Sequence, residues 1–195
     1  MLADLVQAGE LPPVEERLPK EPLVIDVIEE IGQYGGTWEQ AVTGQADCNG
    51  ATGYSLEKWI EFDPECQTYR PSVAKKVEVS EDGTEFTFYM REGMKWSDGE
   101  PHTADDILFW YEDVVLNDDL SPAKPSWMKS GGELGVVEKI DDYTVKYKFA
   151  QPHGMLLFYM AFVWGGGGGL GYPAHYLKQF HAKYADADEL DKMVK

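Results

Sequence analysis

VEVSEDGTEFTFYMREGMKWSDGEPHTADDILFWYEDV, residues Val77–Val114, carries the clearest pattern in the chain. Val77 and Val79 lead into Glu81, Asp82 and Gly83, after which Phe86, Phe88 and Met90 alternate with Thr87, Tyr89 and Arg91. Strand side chains point alternately to opposite faces, so period two around an Asp-Gly turn predicts an antiparallel hairpin with one apolar face. The period then changes. Thr103 can cap a helix that carries Ile107, Trp110, Tyr111 and Val114 at spacings of three and four, and Asp105 and Asp106 suit its electropositive start. A second hairpin is written in Val136–Ile140, the turn at Asp141 and Asp142, and Val145, Tyr147 and Phe149 alternating with Lys146 and Lys148. One sheet can hold both hairpins with the helix packed on it, which makes the class α+β.

The flanks are less regular. Pro12, Pro13, Pro19 and Pro22 argue against a regular helix in the opening segment and predict an extended arm laid over a domain surface. Leu23–Ile28 reads as a strand, Gly32, Gly35 and Gly36 as a sharp turn, and Thr37–Val42 as a second extended piece. Downstream, Pro152–Val163 reads as a second helix and Pro173–Tyr184 as a third. Gly165–Gly169 is a run of five glycines. Such a run holds no regular conformation of its own and reads as a flexible connector spanning about 12 Å. A phosphate loop needs a Lys and a Ser or Thr after its glycines, and neither follows.

Composition narrows the function classes. Apolar residues at 43% and aromatics at 13% are too many for a disordered chain, and 195 residues suffice for one core or two small ones. Lys and Arg number 17 against 35 Asp and Glu, a formal charge of −18 spread over the chain, which repels nucleic acid and anionic membrane surfaces. No run of about 18 apolar residues occurs, so no segment inserts in a membrane as a helix. Met1–Glu10 lacks the basic-then-apolar pattern of a signal peptide, which leaves a cytoplasmic protein or one whose leader has been removed. Cys48 and Cys66 lack metal-ligand spacing and leave a bridge open.

Catalytic patterns are missing. His102, His153, His175 and His181 are isolated, the nearest two being six apart, so neither a zinc site nor a Ser-His-Asp triad is indicated. Carboxylates are abundant, yet no motif singles out an acid and nucleophile pair for glycoside hydrolysis. No residue pattern singles out a catalytic centre, a metal site or a cofactor site. A stand-alone α+β interaction module and, behind it, a glycoside hydrolase are readings that composition leaves open.

From Tyr69 to Asp106 the order Tyr69-Arg70-Pro71-Ser72, strand, Glu81-Asp82-Gly83, strand, Gly93, Lys95-Trp96-Ser97-Asp98-Gly99, Pro101, Thr103-Ala104-Asp105-Asp106 resembles the signature of the family 5 solute-binding proteins of ABC transporters. That family takes peptides, oligopeptides, nickel and oligosaccharides. Arg17-Leu18-Pro19, Pro22 and Tyr34-Gly35-Gly36-Thr37 resemble its mature amino-terminal region, and Pro173, His175, Tyr176 and Leu177 a downstream helix start. The resemblance implies a periplasmic-binding-protein-like fold of type II, in the peptide-binding class, with this chain as a partial, amino-terminal lobe. It also implies an extracytoplasmic location, a peptide or oligosaccharide ligand held between two closing lobes, and an ABC permease as partner. Residues 1–44 then form the arm and first strands of lobe I, 45–164 the family-specific α+β sheet domain, 165–171 the glycine-rich connector and 172–195 a helical segment. In the resembled family the loop after the first strand borders the ligand, which implicates Tyr34, Gly35, Gly36, Thr37 and Trp38. The stretch Leu120–Met128 lies where that family sets an aromatic beside the ligand, which implicates Trp127. Trp96, beside a turn, reads as a core or rim aromatic, and Trp59 and Trp164 are further possible platforms.

Overall fold

A computed structural model describes residues 2–27, 29–33, 35–37, 39, 41, 44, 57–162 and 167–194. Two short helices open the chain, α1 (Leu2–Gln7) and α2 (Val14–Arg17). The prolines do not forbid them: α1 ends before Pro12, and Pro13 stands at the N-cap of α2, where its ring removes no helical hydrogen bond. Past α2 the chain lies against the body. The Lys20 amide donates to the Glu92 carbonyl (2.9 Å), and the buried Arg91 guanidinium donates to the carbonyls of Glu21 (2.6 Å) and Ser72 (2.9 Å). The strand expected over Leu23–Ile28 is not formed: Leu23–Val27 pairs with no strand among the described residues, and Ile28 lies outside them. Of Thr37–Val42, positions 37, 39 and 41 are described and none is in a strand.

The body begins with a pair that alternation does not announce, β1 (Ile60–Phe62) and β2 (Tyr69–Pro71), antiparallel with Ile60 opposite Pro71. Asp63 closes their connection by accepting hydrogen bonds from the Gln67 and Thr68 amides at 2.7 and 2.9 Å. Then come β3 (Ala74–Val79) and β4 (Glu85–Met90), the first expected hairpin, with Val79 opposite Phe86 and Gly83 left-handed at φ +68 in the turn. Helix α3 (Ala104–Phe109) follows, and after it a short hairpin, β5 (Lys129–Ser130) and β6 (Glu133–Leu134). The second expected hairpin is β7 (Val136–Asp141) and β8 (Thr144–Lys148). Both hairpins share one antiparallel sheet of order β3-β4-β8-β7, with Phe86 opposite Tyr147 and Phe88 opposite Val145.

Phe86, Phe88, Met90, Val145 and Tyr147 bury one face of this sheet under α3, α4 (Leu156–Ala161) and Trp59. Each large apolar side chain taken out of water there stabilises the fold by about 1.5–3 kcal/mol. Thr103 caps α3 as its sequence suggests: its hydroxyl accepts from the Asp105 amide (3.3 Å), and the Asp106 carboxylate accepts from the Thr103 amide (2.9 Å). Beyond Phe109 the helix widens into π-type turns through Val115, and the Leu116 amide donates to the Tyr111 carbonyl at 2.9 Å. The wider turn shifts the apolar face by one residue, so Val115 is buried where regular spacing predicts Val114.

The expected third helix breaks into α5 (Ala174–Leu177), a tight 3₁₀ turn over Lys178–Phe180 and an extended His181. The chain leaves the helix because His181 Nε2 donates to the Asp113 carbonyl (3.0 Å) while the Asp113 carboxylate takes Lys183 Nζ and the Tyr184 hydroxyl, each at 2.6 Å. A last helix, α6 (Ala187–Val194), follows.

The end of the glycine run departs from a free tether. Gly167–Leu170 forms one 3₁₀ turn whose carbonyls are held from outside: Tyr147 donates to the Gly169 carbonyl (3.0 Å) and His102 Nε2 to the Leu170 carbonyl (2.8 Å). Gly171, at φ +86, lies so close to α3 that a Cβ there would stand 2.7 Å from the Asp106 carbonyl carbon. Tertiary partners impose on this strap the order that glycine lacks by itself.

Candidate functional site

Trp127 sits in the 3₁₀ turn Ser126–Met128, which starts after Pro125, with its neighbour Met128 fully buried. Its ring lies parallel to that of Trp110, with centroids 5.9 Å apart and 4° between planes. Trp110 reaches this position because it opens the π-type turns of α3, and it is itself buried in the core. Trp127 is half-buried, and its carbonyl accepts from His153 Nε2 (2.8 Å). His153 in turn packs edgewise on Phe149 at 4.6 Å, which ties the turn to the end of β8. Gly169 backs the stack from the strap: a Cβ on it would meet Trp127 Cη2 and Trp59 Nε1 at 3.2 Å each and the Tyr147 hydroxyl at 3.4 Å. Trp127 thus lies parallel to a buried indole while remaining partly exposed, and flat aromatic rings are groups on which apolar ligand faces stack.

Of the five loop residues expected to border a ligand, Gly35, Gly36 and Thr37 are described. Gly35, at φ +120, and Gly36, at φ +86, are exposed, as is Thr37, and nothing lies within 4 Å of a Cβ at either glycine. Tyr34, Trp38 and Trp164 lie outside the described residues. Trp59 is fully buried beside Phe88, with ring centroids 4.9 Å apart. Trp96 donates from Nε1 to Asp106 Oδ2 (3.2 Å) and stands edgewise to His102 at 4.8 Å. The partner of Trp127, Trp110, escapes sequence reasoning because helical spacing marks it only as core.

A groove of about 1040 Å³ runs between the opening arm and the body, lined by Leu18, Pro19, Met94, Trp96, His102 and Leu170 among others. Trp96 in its wall is anchored to a carboxylate that lies behind it, Asp106. Asp106, only 4% exposed, serves three elements at once, accepting from the Thr103 amide, from Trp96 Nε1 and from the Ala174 amide (2.9 Å). Burial pushes His102 below the usual histidine range although the Leu170 carbonyl and the charge of Asp106 pull the other way. At the rim, His175 Nε2 meets Asp98 Oδ2 at 2.7 Å; this bond raises the His175 pKa and holds the Asp98 carboxyl low. Burial pushes the Asp113 carboxyl up, but hydrogen bonds from Lys183 and Tyr184 together outweigh it and leave the group below its ordinary value.

All four histidines thus hydrogen-bond main-chain carbonyls or a carboxylate. Among the described residues no group of three His, Cys, Asp or Glu side chains gathers as a metal site, and no helix is long and apolar enough to cross a membrane.

Residues 68–193 match the family model of the bacterial extracellular solute-binding proteins, family 5. The periplasmic alpha-galactoside-binding protein of Rhizobium meliloti is 36% identical to the chain over 204 aligned positions, covering 92% of the chain and 28% of that protein. Among solved structures, one titled oligopeptide-binding protein OppA is 47% identical with a TM-score of 0.84, covering 98% of this chain and 29% of its own. The periplasmic binding protein MelB of Agrobacterium fabrum C58, solved in complex with stachyose, is 31% identical with a TM-score of 0.69, covering 98% of this chain and 32% of its own. The chain therefore spans 28–32% of the length of these relatives and carries part of the periplasmic binding protein fold of the peptide-binding class. The relatives are named as binding proteins, and the matched residues 68–193 include both hairpins and the capped helix; the chain belongs to the bacterial extracellular solute-binding proteins, family 5.

Proposed function

We propose that the chain is the amino-terminal part of the solute-binding component of an ABC transporter, with an oligosaccharide as its ligand. It binds and releases its solute without turnover, works outside the cytoplasm and hands the solute to a permease. The observation that carries this reading is the parallel Trp110–Trp127 stack in a chain that aligns over 92% of its length with an alpha-galactoside-binding protein. Sugars present apolar C–H faces that stack on flat aromatic rings, and an indole held on one side by a second indole loses little freedom on binding.

In this reading Trp127 meets a sugar face, Tyr34, Gly35, Gly36, Thr37 and Trp38 are the further ligand contacts, and glycine at 35 and 36 lets backbone amides come close to ligand hydroxyls. Closure of a second lobe over the same solute supplies the remaining contacts. A peptide ligand is the second reading, supported by the 47% identity to a structure named for oligopeptide binding.

Tryptophan fluorescence titrations with stachyose and with a pool of tetrapeptides, both carried to high concentration, test the proposal. A saturable change with stachyose that Trp127→Ala abolishes supports it. Saturation by peptides alone moves the ligand to the second class. Indifference to both overturns the assignment of Trp127 as a ligand contact in this chain.

A further inference from the structure

We infer that Gly169 is a positioning residue for the Trp110–Trp127 platform: the absence of its side chain sets the place of the Trp127 ring. The inference deepens the reading of Trp127 as the sugar-stacking surface and rests on it for its functional meaning, but its geometry stands without any ligand.

Three neighbours converge on the one missing methyl group. A Cβ at Gly169 would lie 3.2 Å from Trp127 Cη2, 3.2 Å from Trp59 Nε1 and 3.4 Å from the Tyr147 hydroxyl. The first two are tighter than nine in ten Cβ contacts in proteins, so a neighbour has to give by a few tenths of an ångström. Trp59 and Tyr147 are fully buried in the core and have no room to retreat. Trp127 is half-buried and stands on a three-residue turn, so it is the group that moves.

The strap itself cannot swing away. Its carbonyls at Gly169 and Leu170 are held by Tyr147 and His102, and Gly171 is wedged against the backbone of Asp106 and Ile107. Gly169 does not occupy the left-handed region, where glycine would be required for backbone reasons, so its requirement is one of space alone. That separates it from Gly171, where φ is +86 and both requirements apply. A run of glycines that reads as a connector therefore contains one position whose smallness shapes the site.

The test is Gly169→Ala in the full chain. The backbone there accommodates alanine, so the variant isolates the steric effect. Two stacked indoles give an exciton couplet in far-ultraviolet circular dichroism, and we expect Gly169→Ala to change its amplitude and Trp127→Phe to remove it, while the cooperative thermal transition persists. Gly154→Ala serves as control, since nothing lies within 4 Å of a Cβ there and its φ is not left-handed. An unchanged couplet in Gly169→Ala overturns the inference whatever the ligand experiments show. If instead the couplet changes but stachyose never perturbs the wild-type fluorescence, Gly169 still positions Trp127 and only the sugar-stacking reading fails. A stability loss in Gly169→Ala that stays undiminished in a Trp127→Ala background also overturns it, because the methyl group would then act on Trp59 and Tyr147 instead.

Discussion

Leu23–Val27 is almost wholly apolar and Gly167–Gly171 has, apart from Leu170, no side chains, yet their environments are the reverse of what composition suggests. Val24 is 80% exposed and Ile25 66%, and Ile31 a few residues on is 84% exposed. The strap, by contrast, passes under Trp127, across the start of α3 and into α5, with hydrogen bonds at Gly169, Leu170, Tyr172 and Ala174. Hydrophobicity drives burial only where a complementary surface is within reach. The strap finds Tyr147, His102 and Asp106, all in the described body; no described strand offers the arm a ladder.

The largest effect is expected at Gly171. Gly171→Ala forces a side chain into a left-handed backbone and against the Asp106 carbonyl, and should cost about 3 kcal/mol, read as a fall in denaturant midpoint at constant slope. A cost within the noise of a surface substitution would mean that the strap is not packed. Asp106→Ala comes next. It removes acceptors for Thr103, Trp96 and Ala174 together and should cost about 2 kcal/mol, with faster amide exchange at Ala174 as its local sign.

A smaller effect separates the two histidines that face the strap and its exit. His102 is held low by burial, so the folded state binds its proton less tightly than the unfolded chain does. Its contribution to stability is present above the ordinary value of 6.5 and is lost as pH falls through the lower folded value. His175 is held high by its bond to Asp98, so its contribution is present below 6.5 and is lost as pH rises through the higher folded value. His102→Gln should flatten the acid limb of the stability profile, and His175→Gln the limb above 6.5. Salt should weaken the second effect, because that pair sits at the surface and the coulombic part of its attraction is screened. The least change is expected at the arm: Val24→Ser should stay within about 0.5 kcal/mol of the parent in unfolding experiments on this chain. A loss several times larger would show that the arm is already buried against something.

The local grammar of this protein was legible wherever neighbours in sequence are neighbours in space. Alternation at Phe86, Phe88 and Met90, the Asp82-Gly83 turn, the facing pattern at Val145 and Tyr147, and the cap at Thr103 with Asp106 all act within a few residues. They specify two hairpins and a helix start without outside help, and they carry the family resemblance. Trp127 was legible as a candidate only through that resemblance; nothing in its own neighbourhood distinguishes a ligand face from a core position.

Tertiary structure decided the rest. β1 and β2 are three residues each, too short for a periodic signal, and exist because they pair with each other across the Asp63 loop. Val115 replaces Val114 in the core because the π-type turns after Phe109 change the helix phase, which residue spacing alone does not register. The stack of Trp127 on Trp110 joins positions 17 apart in sequence and needs the Gly169 gap, a further 42 residues on, to hold its place. By itself the sequence determined the elements whose hydrogen bonds and alternating faces are local. The site, the strap and the exposure of the arm were set by which surfaces the folded chain brings within contact distance, because packing acts between residues that the chain order keeps apart.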